Sequence, residues 1–400
     1  MSFRLGEQVQ MVQQMVRQWC ERTLLPRVPA LEAGEPPFEL MRQLQRTFGL
    51  DQMAAAGVKK RIARLRDGTA EAREDVLGDD MDPMMGFVLV KELSRVSPGF
   101  AMGWGVSLGL AGGAIVHKGT ADQLERWGLP VMTMDKIASW CLTEPGAGSD
   151  AFGSMKTTAR PDGDGYVLSG QKTFITNGPG ADVFVVYAKI DRGGDPAIGT
   201  FILERGMPGF SQGKPMKKMG MRDSPTCELY FEDVRVPAAH LLGGKERPAG
   251  RKDAKESLGT ERSGVPAMAW GIIEKCYEQS KKYVVERRQF DRAIGEFQAV
   301  QLKIADMYVK LKNVENIVYR LAWMQKHKVE DAAFVNASKA FCSTTAVDVA
   351  LTAIQCHGGY GYMEEFHIEK LARDAKLLEL GAGTTDINLL AAARQELGLS

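Results

Sequence analysis

The middle of the chain carries two glycine-rich turns set beside hydroxyl-bearing residues. The first reads Trp140-Cys141-Leu142-Thr143-Glu144-Pro145-Gly146-Ala147-Gly148-Ser149-Asp150. The second, about 30 residues on, reads Gly170-Gln171-Lys172-Thr173-Phe174-Ile175-Thr176-Asn177-Gly178. Glycine admits turn conformations that free backbone N–H groups, and the threonine and serine hydroxyls add further donors. Donors gathered in this way suit an electron-rich, anionic cofactor. Phe174, between Lys172 and Thr176-Asn177, offers a ring that covers the flat face of such a molecule; the plainer alternative is a core aromatic on a strand.

The bulk properties narrow what surrounds these turns. Four hundred residues exceed the usual size of one core, so two or three domains are expected. A 44% hydrophobic, 25% charged composition with net charge +1 is that of a globular protein and argues against nucleic acid or a membrane surface as partner. The 6 cysteines (Cys20, Cys141, Cys227, Cys276, Cys342, Cys356) lack CxxC spacing, which reads as reduced thiols, and neither cysteines nor histidines have metal-ligand spacing. The N-terminal Met1-Ser2-Phe3-Arg4-Leu5-Gly6-Glu7 has no apolar signal core, so a cytoplasmic location is expected. The apolar stretches read as shorter than the roughly 18 residues of a membrane span.

The pattern predicts helices, then strands, then helices. Val9, Val12, Val16 and Trp19 recur at helical spacing, and Pro26 and Pro29 are expected to end that helix. Residues 57–83, with Lys59-Lys60-Arg61 and Asp79-Asp80, read as a solvated surface segment or as a loop on the substrate side. Met84 to Leu110 reads as buried helix. From about Ala138 the period becomes that of strands, with candidates at Tyr166–Leu168, Asp182–Ile190, Thr200–Leu203 and Cys227–Val236, and a hairpin turn at Asp162-Gly163-Asp164-Gly165. From Leu258 the helical period returns. Phe297, Val300, Ile304, Met307, Leu311, Val314, Val318 and Leu321 form a heptad stripe; a further helix over Ala332–Cys356 stops at Gly358-Gly359, and a last one covers Asp386–Leu397. The fold class is therefore α+β, mainly α, with an N-terminal helical domain (1–137), a middle antiparallel β domain (138–248) and a C-terminal four-helix bundle (249–400).

The two turns resemble the flavin-binding signatures of the acyl-CoA dehydrogenase family. Further landmarks arrive in family order: Lys218-Met219-Gly220-Met221-Arg222, Phe231-Glu232-Asp233-Val234-Arg235-Val236-Pro237, Glu286-Arg287-Arg288-Gln289-Phe290 with Gln298, Gln355-Cys356-His357-Gly358-Gly359-Tyr360-Gly361, and Arg373-Asp374-Ala375-Lys376. The resemblance is clear from Ala138 to Leu399 and weak before it. It implies FAD held between the β domain and the bundle. Cys141, Leu142 and Thr143 would line the ring edge, Gly148 and Ser149 the pyrophosphate or the CoA, Phe174 a ring face, and Thr176 would hydrogen-bond near the reactive nitrogen. Arg287, Phe290, Gln298, Gln355 and Gly359 match positions that reach the adenosine half of FAD on a neighbouring subunit, Arg287 by pairing with pyrophosphate. A helix-end charge is the plainer reading of Arg287. Thr384 and Asp386 match a terminal segment that also touches FAD, with Asp386 alternatively the N-cap of the last helix.

Many relatives carry the catalytic carboxylate in a Tyr-Glu-Gly-Thr segment. Here that segment is Gly381-Ala382-Gly383-Thr384, and Ala382 cannot take a proton. Isovaleryl-CoA and long-chain members instead place the base directly before an arginine at the start of the first C-terminal helix, where this chain has Thr260-Glu261-Arg262. The resemblance thus implies Glu261 as base, with Arg262 positioning substrate; an ordinary first-turn acid is the plainer alternative. The Ala382 backbone N–H and a ribityl hydroxyl of FAD would stabilise the enolate. Gly381-Ala382-Gly383 leaves room for branching near the carbonyl. The basic stretch Lys245, Arg247, Arg251, Lys252, Lys255 reads as solvated loop or as a contact for CoA phosphates. The expected function is FAD-dependent α,β-dehydrogenation of a short, branched or cyclic acyl-CoA, in a homotetramer that passes electrons to an electron-transfer flavoprotein. The alternatives are a desulfinase or oxidase of the same fold, an enzyme of alicyclic or steroid side-chain acyl-CoA, and a non-catalytic flavoprotein subunit.

Overall fold

A computed structural model describes residues 5–70, 81–191, 197–244, 246 and 251–399, the side chains of 251–261 excepted. Helices come first. Glu7–Trp19 buries Val9, Val16 and Trp19. Pro26 and Pro29 do not end the helical path: the chain continues through Cys20–Leu24, Leu25–Arg27 and Val28–Glu32, each proline standing at the start of its turn, where no N–H is needed. The segment read as solvated is in part a helix, Leu50–Arg66, that buries Ala54, Val58 and Ile62. Its Arg61 is itself buried, Nε donating to the Val116 carbonyl at 2.7 Å. Residues 71–80 of that segment lie outside the described residues.

The apolar run from Met84 divides into two elements. Met84–Ser94 is followed by a helical run over Pro98–Lys118, and Ser97 caps the second by accepting from the Phe100 N–H. This 21-residue run has a mean hydropathy of 1.5, long and apolar enough to cross a membrane, contrary to the expectation from the sequence. Its polar residues are few and uncharged over most of its length, so the whole run counts as apolar. In the protein 72% of its most apolar window is buried, as for a core helix packed between domains.

Among the described residues seven strands form one sheet: β1 (Ala138–Cys141), β2 (Thr158–Asp162), β3 (Gly165–Thr176), β4 (Val183–Ile190), β5 (Ala197–Glu204), β6 (Phe210–Gln212) and β7 (Thr226–Pro237). The β2–β3 hairpin closes at Asp162 and Gly165 as expected, with Gly163 at φ 61°. The sheet is antiparallel except around β4, which runs parallel to both β1 and β2. The sequence of β4, Val-Phe-Val-Val-Tyr-Ala-Lys-Ile, carries the reason: an unbroken apolar run belongs to a strand covered on both faces. Phe184, Val186, Ala188 and Ile190 enter the main core shared with the helices, whereas Val183, Val185 and Tyr187 enter a second core with Ile115, Trp127, Val131 and Ile202.

The C-terminal part is built on Arg251–Glu286, Gln298–Lys326 and Ala332–His357, followed by Ile368–Leu378 and Thr385–Glu396. Met307, Leu311, Val314, Val318 and Leu321 of the heptad stripe are buried, while Phe297, Val300 and Ile304 at its start are half-buried. Ala332–His357 stops at Gly358, φ 59°. The Arg251–Glu286 helix packs on Met84–Ser94 so closely at Gly271 that a Cβ there would stand 2.2 Å from the Lys91 carbonyl oxygen. Backbone cannot yield as a side-chain end does, so Gly271→Ala is expected to lower stability by about 1–3 kcal/mol, measured by chemical denaturation. A variant as stable as the parent would show that these two helices slide freely.

Candidate functional site

The glycine turns converge because their strands do. β1 ends at Cys141, and the segment after it is tied to β3 by the Thr173 N–H, which donates to the Thr143 carbonyl at 2.9 Å. Beneath the contact lies an ion pair that sequence reasoning missed. Lys172, fully buried, donates from Nζ to Glu144 Oε1 at 2.8 Å and to the Leu142 carbonyl at 3.0 Å. The Glu144 carboxylate also accepts the N–H groups of Lys156 at 2.6 Å and Thr157 at 3.0 Å. Burial alone pushes the Glu144 carboxyl up, but the Lys172 ammonium and these donors outweigh it and hold it below the ordinary value. Both residues stand in the two motifs; only their pairing across 28 positions was hidden. Burial pushes the Cys141 thiol up, which keeps it a neutral wall of the site.

Phe174 is no core residue. β3 pairs with β7 from Gly170 to Lys172 and again from Ile175, and at the irregularity between Lys172 and Ile175 Phe174 faces outward, 67% exposed at φ 58°. A bulky residue in the left-handed region carries a strain of about 1–3 kcal/mol, and such strain is characteristic of ligand sites. Asn177, φ 64° and buried, locks the end of the same strand by donating to the Gly103 carbonyl at 2.8 Å. The Thr143 and Thr176 hydroxyls find no hydrogen-bond partner among the described residues, and Gly148 and Ser149 are exposed. Free hydroxyl donors beside an outward ring fit the polar edge and flat face of an isoalloxazine.

A second surface forms at one end of the bundle. The turn after Arg251–Glu286 brings Arg287 over the Tyr360 ring at 5.6 Å, and Phe290 meets Phe297 with centroids 6.1 Å apart. Arg287, Gln298, Gln355 and Gly359 are all exposed, and Phe290 is 88% exposed. Arg287 and Phe290 thus lie on the turn that leads from this helix towards Gln298, while Gln355 and Gly359 stand at the end of Ala332–His357, beside the Tyr360 that Arg287 covers.

The third component is the loop Gly381–Thr384. Ala382 has φ 55° and Gly383 φ 84°. Arg262 Nε donates to the Ala382 carbonyl at 3.2 Å, and its Nη1 donates to Asn336 Oδ1 at 2.9 Å. Arg262 thus acts on the loop, and Asn336 was not anticipated. Thr384, not Asp386, is the N-cap of Thr385–Glu396: its hydroxyl accepts from the Ile387 N–H at 3.3 Å, and Asp386 falls in the first turn, exposed. The threonine stands where the chain is still extended, as a cap requires. The Glu261 side chain lies outside the described residues, as do Lys245, Arg247 and the side chains of Arg251, Lys252 and Lys255. The backbone, however, begins its helix at Arg251, so Glu261 is an interior residue rather than a first-turn acid.

The motifs between these components are joinery. Lys370, buried, donates from Nζ to Asp374 at 2.5 Å and to Asp223 at 3.1 Å; Ser97 donates to Asp223 and the Met221 N–H to Asp374. Arg373 reaches Glu32 at 2.9 Å and the Met219 carbonyl at 3.0 Å. First, middle and last parts of the chain thus meet at Lys218–Arg222 and Arg373–Lys376. Burial pushes the Asp374 carboxyl up to about 6.

Three family models cover the chain: the acyl-CoA dehydrogenase N-terminal domain over residues 6–135, the middle domain over 139–234 and the C-terminal domain over 249–397. The chain belongs to the acyl-CoA dehydrogenase family. It is 32% identical over 392 residues to a short-chain specific acyl-CoA dehydrogenase of Clostridium acetobutylicum, covering 98% of both chains. To a mitochondrial isovaleryl-CoA dehydrogenase of Pongo abelii it is 34% identical, covering 98% of this chain and 89% of that one. The structure of butyryl-CoA dehydrogenase from Megasphaera elsdenii matches with a TM-score of 0.86 and 32% identity over 99% of this chain and 100% of that chain. Acyl-CoA dehydrogenases are oxidoreductases with FAD as cofactor, and the donor set around Phe174 fits that group.

Proposed function

We propose that this acyl-CoA dehydrogenase family member oxidises a saturated, short branched or cyclic acyl-CoA to its 2,3-enoyl-CoA. The observation that carries this reading is the Ala382 N–H: it meets no acceptor among the described residues while the carbonyl of the same residue is engaged by Arg262. A backbone donor held free on a buried residue of a half-buried loop is what a thioester oxygen needs as negative charge develops on it. Glu261 takes the α-proton, its basicity rising as substrate excludes water. Thr143 and Thr176 would hold the ring edge of FAD and Phe174 its face, and Arg287, Phe290, Gln298, Gln355 and Gly359 would hold the adenosine half in a neighbouring copy. The flavin held there would supply the acceptor for the β-hydrogen and its electron pair.

Room for a branched or cyclic acyl group has support in three places. Ala382 and Gly383 offer no side chain beyond one methyl. Gly264, one turn after Glu261, has nothing among the described residues within 4 Å of where a Cβ would stand. The exposure of Phe290 and of Tyr362, 77% exposed, supports a homotetramer in which a second copy covers them, and an electron-transfer flavoprotein is the proposed electron acceptor. The test is direct. The purified yellow protein is mixed without oxygen with saturated straight, branched and cyclic acyl-CoAs. Bleaching by a branched or cyclic member is expected; colour that persists across the panel would overturn the reading.

A further inference from the structure

Three helices send side chains to the back of one short loop. Lys339 of Ala332–His357, fully buried, donates from Nζ to the Gly383 carbonyl at 2.6 Å. Asn388 of Thr385–Glu396, also fully buried, donates from Nδ2 to the Gly383 carbonyl at 2.8 Å and to the Thr384 carbonyl at 2.9 Å. Arg262 of Arg251–Glu286 takes the Ala382 carbonyl and is steadied by Asn336. The carbonyls of three consecutive residues are thus engaged. The N–H groups of the same three, Ala382, Gly383 and Thr384, meet no acceptor among the described residues.

Two consecutive residues with positive φ, Ala382 and Gly383, turn this stretch sharply, and its three successive uncommitted N–H groups are donors that can take an anionic oxygen. Free in solution such a loop would relax, because an alanine at positive φ costs energy and peptide units rotate readily. A cation bound to a peptide carbonyl also polarises the N–H of that peptide. Arg262 acts in this way on the Gly383 N–H, and Lys339 on that of Thr384.

We infer that Lys339 and Asn388 are positioning residues for the oxidation, holding the Ala382–Thr384 N–H groups forward, with Ala382 N–H on the thioester oxygen. The inference rests on the proposed dehydrogenase reading. Neither residue touches substrate; each acts through the loop. The arrangement also explains why the loop tolerates an alanine where a carboxylate is commonly found: its backbone is held from behind, not by its own side chain.

The test uses FAD-loaded protein, Lys339→Met, Lys339→Arg and Asn388→Leu, and acetoacetyl-CoA, a thioester that ionises to an enolate. Bound beside oxidised flavin, the enolate gives a long-wavelength charge-transfer absorption, which is followed against pH. In the parent the band is expected to form well below the pH at which the free thioester ionises. In Lys339→Met and Asn388→Leu, with FAD content unchanged, it should move up by about one pH unit or more, while kcat for the acyl-CoA that bleaches the parent falls at least about tenfold and KM changes little. Lys339→Arg should recover most of the shift. Should Lys339→Met fail to fold, Asn388→Leu carries the test alone, since it removes donors and adds no charge. Variants that ionise the ligand at the parent's pH and turn over within about twofold of it would overturn the inference alone. A flavin-loaded parent that shows no band would overturn both it and the dehydrogenase reading.

Discussion

Glu261→Gln is expected to retain FAD and still bind acyl-CoA, yet to be bleached by its substrate at least about a hundredfold more slowly than the parent. General-base catalysis contributes about 10²–10⁴-fold, and glutamine keeps the size and polarity of the side chain while losing the ability to take a proton. The expectation is sharpened by two facts. The resemblance puts the commoner base position at Ala382, whose methyl cannot take a proton. In addition, Glu261 lies ten residues into its helix, so the favourable charge–dipole interaction of a first-turn acid, which fades within one turn, does not account for a carboxylate there. Anaerobic stopped-flow reduction, read beside the FAD content of each preparation, separates the outcomes. A variant reduced at the parent's rate would remove Glu261 from the mechanism and leave the chain without a base.

Lys172→Met should destabilise the protein by about 3–5 kcal/mol and release FAD, because it strands a buried carboxylate. Glu144 is 5% exposed, and in the variant its charge would keep no cation, only the donors of Lys156 and Thr157. The pair also ties the Leu142 carbonyl to β3, so its loss loosens the two turns against each other. Adding Glu144→Gln to the variant should restore part of the stability, since the uncompensated charge is the larger cost. The pH dependence has a defined sign. Glu144 is held below its ordinary value of 4.5, so its contribution is fully present above pH 4.5 and is lost as pH falls through the lower folded value. The parent should therefore lose stability and flavin in that acid range, and Lys172→Met should lack that portion of the decline. Denaturation midpoints and flavin-to-protein ratios between pH 3 and 7 measure both effects. A Lys172→Met protein with the parent's midpoint and full flavin would show that the turns are held by something else.

Much of the architecture was legible because it rests on local patterns. Helical spacing in Met307 to Leu321, turn glycines at Gly163 and Gly358, and the two hydroxyl-bearing turns are all short-range signals, and each stands where the pattern predicts. Misreadings arose where one local signal has two tertiary meanings. The charge-rich run around Arg61 looked solvated, but a guanidinium can be buried once backbone carbonyls receive it. Pro26 and Pro29 looked like stops, but at the start of a turn proline costs no hydrogen bond. Pro98–Lys118 fell short as a membrane candidate on sequence, yet is one long apolar helix, most of it enclosed by protein.

The sequence by itself determined the order of the domains, the flavin signature at Cys141–Ser149 and Phe174–Thr176, and the absence of a carboxylate at Ala382, because these depend on residue types at fixed spacing. Only the tertiary structure decided that Phe174 faces outward, that β4 runs parallel to two of its neighbours, that Thr384 rather than Asp386 caps the last helix, and that Lys172, Lys339 and Asn388 hold the site from behind. The physical reason is common to all of them. Each turns on which polar group meets which, across 3 positions of chain at Thr384 and 44 at Lys339, or on which face of an element is covered. Those are properties of packing, and the pattern of one segment holds no record of the segment it will meet.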